Sequence, residues 1–470
     1  MKDMDPDSPP TTVQGRGLPS PSAARFTRQL AIFFLINVAV INGLLELAFP
    51  GGLWETVLAH TRDVFRAQSG DDSWGPMAAA YAYLKEPHTK PLYQALFFEE
   101  GIKFQYPPSA LFALQGMYSF GQERVRVSDE MLFAGAPPIN DILGWGFLAI
   151  TALATAGLVE AGLRRAGAVS NSRTLMLLRA VIVAGITLTF YPVVKAFTLG
   201  QIQLWINSIF ALALLFWVWQ QKVATGVLMG LICLMKPHYA LFMLWGVLNR
   251  EWRFVLACGV IGATGLIYSI WTYEWVNHLD YLRVLSFMSE RGESYYANQS
   301  INGLLHRLAS LSAPQLYNNA TFDAFRFPAY SSWVYWGTLV TSTVVLLTAL
   351  LRRSSAMNGG LAFAILAVSL TIASPIAWEH HYGVLLPAFG LFAAANTGRA
   401  GALCLIAVAF IFVSNFVPAF NLLAETPFNF LQSYMLAGGL FFLLLMHRQV
   451  LETSTTRRSI TKQSKLGENT

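Results

Sequence analysis

Long apolar runs, separated by short basic clusters, recur along the whole chain. The runs are about 18–22 residues long, which is the length that an α-helix needs to cross a bilayer. They lack the alternation of apolar and polar residues that marks a transmembrane strand. Lipid tolerates only helices or closed barrels, because backbone polar groups must be bonded internally there. The sequence therefore predicts an all-α, polytopic transmembrane helical bundle.

The distribution of charge supports this class and excludes another. Only 12% of the 470 residues are charged, whereas ordinary soluble domains carry about 25%. The formal net charge of +6 comes largely from Lys and Arg at the ends of apolar runs, where the positive-inside rule places them. We therefore exclude nucleic-acid binding. Cys233, Cys258 and Cys404 lie in apolar runs and show no disulfide or metal spacing.

The basic clusters also predict the topology. They indicate about twelve spans with both termini in the cytoplasm. Residues 1–27 are predicted to be a disordered cytoplasmic tail, residues 28–450 the membrane domain, and residues 451–470 a basic cytoplasmic tail. Arg173 and Arg179 are predicted to hold a short loop on the cytoplasmic side.

Two long segments fall on the opposite side, at about 51–138 and 275–329. The first contains two apolar pieces too short to span, at 76–84 and 109–120, which we predict to be helices at the membrane surface. Further along, Lys236 and the proline after it separate two half-length apolar arms. Such a break indicates either two short spans or a lysine below the surface in a watery cavity.

Polar residues that do not belong to the basic clusters are all predicted on this exterior side, although the topology was assigned without them. A shared face suits a reaction site, because ionisable residues near lipid are costly and usually functional. An acid can act as a general base for a hydroxyl, and Lys or Arg can hold a phosphate. Asn, Gln and His offer donors and acceptors for sugar hydroxyls.

Six short motifs carry a family resemblance through their number and order. They are Asp-Asp-Ser-Trp (71–74), Tyr-Pro-Pro (106–108), Leu-Gly-Gln (199–201), Lys-Pro (236–237), Asn-Gln-Ser (298–300) and Ser-Pro-Ile-Ala-Trp-Glu-His-His (374–381). The set resembles glycosyltransferase family 87, a branch of the GT-C superfamily that includes polyprenyl-phosphomannose-dependent mannosyltransferases of actinobacteria. The likeness covers residues 45–450.

The resemblance implies a membrane hexosyltransferase of the bacterial inner membrane whose site faces the periplasm. The donor would be a polyprenyl-phosphate sugar, with mannose as the family-level choice, and the acceptor a hydroxyl of a glycolipid or glycan. The family acid lies in the first exterior loop, where Asp71 and Asp72 compete. We favour Asp72, because Gly70-Asp71 suits a turn. One carboxylate base without a second carboxylate as nucleophile predicts inversion.

The other site residues follow from the same comparison. Lys236 and Arg307 are expected to stabilise the departing lipid phosphate. Five residues are expected to orient the sugar or the acceptor: Gln201, Asn298, Gln299, His380 and His381. We expect no metal site and no cofactor beyond the lipid-linked donor.

Structural and functional alternatives stay open at this point. Asp71 or Asp72 would also suit the cap of a helix starting near Pro76, and Lys236 could snorkel to the interface. His380 and His381 could cap a helix, but adjacent helical residues do not share a face for a metal. A transporter or flippase is the alternative function, although no internal repeat is visible. A ligase using a diphosphate donor would be expected to carry more exterior arginines.

Overall fold

The computed structural model describes residues 22–49, 56–119, 139–168, 172–310, 327–352 and 359–467, with side chains up to residue 452. Helices dominate all of these ranges, as the apolar runs predict. The α-helices are α1 Ala23–Leu35, α2 Gly43–Ala48, α3 Val57–Phe65, α4 Trp74–Tyr83, α5 Leu111–Ser119, α6 Ile139–Arg165, α7 Arg173–Leu188, α8 Tyr191–Thr198, α9 Gln203–Val218, α10 Lys222–Met235, α11 Leu241–Leu248, α12 Trp252–Tyr273, α13 Trp275–Arg291, α14 Ile301–Ala309, α15 Ser332–Leu350, α16 Gly359–Ala373, α17 Leu385–Ala395, α18 Ala400–Ser414 and α19 Tyr434–Gly467.

Shorter helical turns complete the described chain. Two π-helical segments, Ile36–Asn42 and Gln94–Glu99, and five 3₁₀ turns, Pro108–Ala110, Pro237–Ala240, Glu379–Val384, Pro418–Leu423 and Asn429–Ser433, lie between the α-helices. The described ranges contain no strand, and their one isolated antiparallel bridge joins Asn298 to Trp378. The all-α prediction is confirmed over these ranges.

Fewer helices are long enough to cross a membrane than the sequence predicts. Within the part of the chain that the structure describes, five meet the requirements of length and apolarity: Ala23–Ala48, Ile139–Arg165, Trp252–Tyr273, Ser332–Leu350 and Asn429–Glu452. A sixth arises if α7 and α8, which meet at a bend of 58°, form one broken span. Five more apolar helices have only 10–17 residues, or at most about 25 Å of rise. The twelve predicted spans are therefore not confirmed.

Glycines let the long helices pack closely in the core. A Cβ on Gly162 of α6 would lie 2.8 Å from the carbonyl oxygen of Leu391 in α17. A Cβ on Gly226 of α10 would lie 2.5 Å from the carbonyl oxygen of Phe254 in α12. Membrane helices associate through small residues of this kind, since lipid gives no hydrophobic drive between helices.

The boundaries of the first and last helices differ from the predicted tails. Helix α1 starts at Ala23, where the Ser22 hydroxyl accepts a hydrogen bond from the amide of Arg25. Helix α19 continues to Gly467, beyond the predicted start of a tail at residue 451. Residues 1–21 of the predicted N-terminal tail lie outside the described ranges.

Arg179 lies in the packed core rather than in the predicted cytoplasmic loop. Its side chain is 1% exposed, and its Nε and Nη2 donate to the two carboxylate oxygens of Glu160 at 2.6 and 2.9 Å. A third bond runs from Nη1 to Thr27 Oγ1 at 2.9 Å. Arg179 on α7 therefore joins that helix to α6 through Glu160 and to α1 through Thr27. It lies inside the bundle because α7 already begins at Arg173.

Candidate active site

The loop that carries the two aspartates is bound to the end of α8. The amide of Gly70 donates to the carbonyl of Thr198 at 2.8 Å, and the amide of Asp72 donates to that of Leu199 at 3.0 Å. Gly200 follows with φ +66, and a Cβ there would lie 1.8 Å from the Gly70 oxygen. This approach requires glycine at position 200, both for its backbone conformation and for space.

Side chains from three motifs meet beside this backbone pairing. The Ser73 hydroxyl lies 2.9 Å from that of Tyr106 and donates to Gln201 Oε1 at 2.8 Å. Tyr106 also donates to Gln201 Oε1, at 3.1 Å. Because both hydroxyls donate to the amide oxygen of Gln201, its NH₂ group points the other way, and it donates to Asp72 Oδ2. The network therefore orients one oxygen of Asp72.

Asp72 is exposed at the surface, but its carboxyl has many protein atoms around it. Its side chain is accessible to water, yet protein atoms surround it closely enough that burial raises the pKa of its carboxyl, against the Gln201 hydrogen bond and the charges of Lys103 and Lys195. Helix α4 begins at Trp74 after Ser73, and no side chain caps it. The capping alternative for Asp71 and Asp72 therefore finds no support here.

Lys236 lies at the break between α10 and the 3₁₀ turn Pro237–Ala240. Its ammonium donates to Gln203 Oε1 at 2.6 Å and lies 2.9 Å from His381 Nε2. Burial lowers the pKa of Lys236 to about 7, although the side chain keeps some solvent access. Gln203 starts α9 two residues after Gln201, so this short stretch connects Lys236 to the Asp72 network.

The two histidines occupy different environments. His381 faces Lys236, and burial together with that charge lowers its pKa well below the usual value. His380 is 3% exposed, and its carbonyl accepts from Asn207 Nδ2 at 3.4 Å. The described residues contain no group of three or more His, Cys, Asp or Glu side chains that could hold a metal.

The Asn-Gln-Ser motif pairs with the Ser-Pro-Ile-Ala-Trp motif and stabilises the turn before the histidines. Asn298 Oδ1 accepts from the amide of Ala377 at 2.9 Å, and its Nδ2 donates to the carbonyl of Pro375 at 3.0 Å. Arg307 lies beneath this pairing and is 0% exposed. It donates to the carbonyl of Asn298 at 2.7 Å and to Ser433 Oγ at 2.9 Å.

Gln299 points toward the start of α19 rather than toward Lys236. Its Nε2 donates to the carbonyl of Gln432 at 2.7 Å, and its Oε1 accepts from the amide of Leu436 at 3.3 Å. The structure therefore bonds Asp72 to Gln201 and bonds Lys236 to Gln203 and His381. It places Asn298, Gln299 and Arg307 in the supporting layer around the histidine turn.

Sequence reasoning gave no role to Glu379, although it lies inside a motif. The Tyr191 hydroxyl donates to its Oε2 at 2.9 Å, and the residue is 2% exposed. Burial raises the pKa of Glu379 to about 7. The position of Glu379 directly before two histidines could have indicated a functional carboxylate. The sequence could not show that Tyr191, at the start of α8, would donate a hydrogen bond to it.

Lys103 is a second omission. Its ammonium forms an ion pair with Glu293, whose other oxygen accepts from the indole of Trp378. The pair joins both predicted exterior loops to the histidine turn. Neither residue belongs to a quoted motif, so only the folded arrangement reveals them.

Comparison with known proteins identifies the family. The model of glycosyltransferase family 87 matches residues 131–375, just over half of the 470-residue chain. No curated protein and no solved structure matches the chain. The aspartate loop precedes the matched residues, and it is bound to them through Thr198, Leu199 and Gln201. This chain belongs to glycosyltransferase family 87, and it is a membrane glycosyltransferase.

Proposed function

We propose that the protein transfers a hexose, with mannose as the first choice, from a polyprenyl-phosphate donor to a hydroxyl of a glycolipid or glycan, with inversion at the anomeric carbon. One observation carries the proposal. The carboxylate of Asp72 and the half-buried ammonium of Lys236 bond to two glutamines that stand two positions apart in the chain, Gln201 and Gln203. That arrangement supplies a base and an anion-binding cation beside the start of α9.

Asp72 is the general base of the proposed reaction. The acceptor oxygen forms a bond to the anomeric carbon while the bond from that carbon to the phosphate oxygen breaks. The electron pair leaves with the lipid phosphate, and the hydroxyl proton passes to Asp72. A raised pKa makes Asp72 a stronger base once it is ionised. Because Gln201 bonds to Oδ2, Oδ1 is the oxygen that would accept the proton.

Lys236 binds the departing phosphate. The new and the broken bonds lie on opposite sides of the anomeric carbon in an inverting transfer, so the base and the phosphate ligand must stand apart by about one sugar ring. His381 orients the ammonium by its contact at 2.9 Å, and His380 and Gln201 remain our candidates for contact with sugar.

Arg307, Asn298 and Gln299 have a supporting role in this proposal. Arg307 was expected at the phosphate, but it is fully buried and donates to Asn298, Tyr295 and Ser433. Binding a phosphate would require these bonds to break. We therefore assign Arg307 to holding the histidine turn, and we leave the phosphate to Lys236.

The proposed location is the bacterial inner membrane, with the site facing the periplasm and both termini in the cytoplasm. The reaction needs no metal in this scheme, because Lys236 supplies the positive charge. A transporter or flippase was the alternative. The bend between α7 and α8 is compatible with transport, but the family assignment favours chemistry at the site.

The proposal is tested by incubating the purified protein with synthetic polyprenyl-phosphate mannose, glucose and arabinose and a membrane glycolipid extract as acceptor. We expect transfer from the mannose or the glucose donor, with an anomeric configuration in the product opposite to that of the donor by NMR. Transfer from the arabinose donor alone would contradict the assignment of a hexose. Retention would contradict the single-base mechanism. Release of free sugar or movement of intact donor across vesicles without transfer would contradict the proposed function.

A further inference from the structure

Three buried carboxamides form a separate group in the segment before α19. Asn421, Asn429 and Gln432 are 7%, 0% and 1% exposed, and Gln432 Nε2 donates to Asn421 Oδ1 at 3.0 Å. Asn429 and Gln432 stand three apart in the 3₁₀ turn Asn429–Ser433, and side chains at that spacing lie on the same side. We call these three residues the carboxamide cluster.

Four polar atoms of the cluster have no hydrogen-bond partner within the described ranges. They are Asn421 Nδ2, Asn429 Nδ2, Asn429 Oδ1 and Gln432 Oε1. Folded proteins leave few buried polar atoms unpaired, so each one needs an explanation. Two of the four are NH₂ donors and two are carbonyl acceptors. Sugar hydroxyls match this set, because each hydroxyl both donates and accepts.

The segment that carries the cluster also exposes two large apolar side chains. Leu422 and Phe428 are 62% and 58% exposed, and large exposed apolar side chains of a membrane protein suit contact with lipid. The segment also adjoins the candidate active site. The carbonyl of Gln432 accepts from Gln299, and Phe416 stacks on Tyr191 with ring centroids 5.1 Å apart.

We propose that the carboxamide cluster binds hydroxyl groups of a membrane-anchored saccharide, the acceptor of the transfer. The saccharide class is argued from the unpaired amide atoms together with the proposed function, and the membrane anchor from the exposed side chains of Leu422 and Phe428. The choice of acceptor over donor rests on the proposed function. The cluster lies beyond residue 375, where the family match ends, so the family assignment gives these residues no role.

Thermal unfolding of the full-length protein in detergent tests the saccharide site without requiring activity. The variants are Asn429→Leu and Gln432→Met, and the probes are free mannose, glucose and galactose at high concentration. We expect at least one sugar to raise the unfolding midpoint of the parent by more than it raises that of the variants, since any sugar at high concentration stabilises a folded protein slightly by exclusion from its surface. Without sugar, Asn429→Leu should unfold at the same or a higher temperature, because an apolar group replaces an unpaired amide. Gln432→Met also loses the bond to Asn421 and should unfold at a lower temperature.

Asn396→Leu is the matched control. Asn396 is also a buried asparagine, at 2% exposed, but its Nδ2 donates to Phe392 and to Gln449 at 2.9 and 2.7 Å. This variant should unfold at a lower temperature and keep the sugar-dependent shift. An equal sugar shift in the parent and in the cluster variants would place the sugar elsewhere. No sugar shift in the parent, with a lower midpoint in Asn429→Leu, would mean ordered water only.

Transfer kinetics then separate acceptor from donor. Loss of a hydrogen-bonded pair should raise the acceptor KM about tenfold, with the donor KM unchanged. A rise in the donor KM alone would contradict the acceptor assignment. If the parent transfers no sugar but the sugar-dependent midpoints behave as expected, the proposed function fails while the saccharide site stands.

Discussion

Gly200 lies so close to Gly70 that a Cβ on Gly200 would come within 1.8 Å of the Gly70 carbonyl oxygen. The contact joins the aspartate loop to the end of α8, and the hydrogen bonds beside it fix the position of Asp72. The geometry of the base therefore depends on a glycine 128 residues after Asp72 in the chain (200 − 72).

Gly200→Ala should displace the aspartate loop. The residue has φ +66, so alanine would add backbone strain of about 1–2 kcal/mol to the clash with Gly70. We expect loss of transfer and a lower unfolding midpoint. Gly146→Ala is the control, because no atom lies within 4 Å of a Cβ there. Full activity of the Gly200 variant would show that the contact does not position the base.

Tyr106→Phe should weaken the orientation of Asp72 without removing it. The Tyr106 hydroxyl donates to Gln201 Oε1, and Gln201 donates to Asp72. We expect kcat to fall about tenfold, as for a loss of about 1.4 kcal/mol, with the KM values unchanged. Tyr83→Phe removes the exposed bond to the Lys90 carbonyl at 2.8 Å and serves as the comparison. Equal kcat values in the two variants would show that the Tyr106 hydroxyl does not help to orient Asp72.

The pH dependence of kcat/KM should be bell-shaped. Burial raises the pKa of Asp72, so activity should fall on acidification at a higher pH than for an ordinary aspartate. Burial lowers the pKa of Lys236 to about 7, so the unliganded enzyme loses its cation, and with it donor binding, as the pH rises above about 7. Lys236→Arg should move the alkaline limb to higher pH. An unchanged alkaline limb in that variant would assign it to another group.

Arg179→Met should destabilise the protein without altering the chemistry. The variant leaves Glu160 without the bidentate partner that it has in the core, and breaking a buried ion pair costs about 3–5 kcal/mol. We expect a lower unfolding midpoint and unchanged KM values for the folded fraction. Arg448→Met breaks an exposed pair, with side chains 74% and 51% exposed, and should change stability by less than about 1 kcal/mol. Equal midpoints in the two variants would contradict a structural role for Arg179.

The sequence predicted several site elements because their residue chemistry stands out in an apolar chain. Lys236 and His381 are 145 positions apart and form a direct contact, and the motif order indicated both. The sequence could not show that Arg307 and Arg179 are buried while other arginines are exposed, because burial depends on how the helices pack. Gln299 likewise points toward Gln432, and only the fold shows it.

The number of spans could not be predicted for a related reason. Apolar runs in the sequence do not reveal where a helix breaks. Helix α8 ends at Thr198 and α9 begins at Gln203, and α7 bends by 58° into α8. Each such break puts polar residues where the site needs them: Gln201 precedes α9, and Tyr191 begins α8.

The central claim is that Asp72 takes the proton from the acceptor. The most direct measurement is the rate of sugar transfer at saturating donor and acceptor for the parent, Asp72→Asn and Asp71→Asn in the same membranes. Asparagine keeps the shape and removes the base, so we expect Asp72→Asn to lose about 10²–10⁴-fold in rate and Asp71→Asn to stay close to the parent. Transfer by Asp72→Asn at the parental rate would contradict the account.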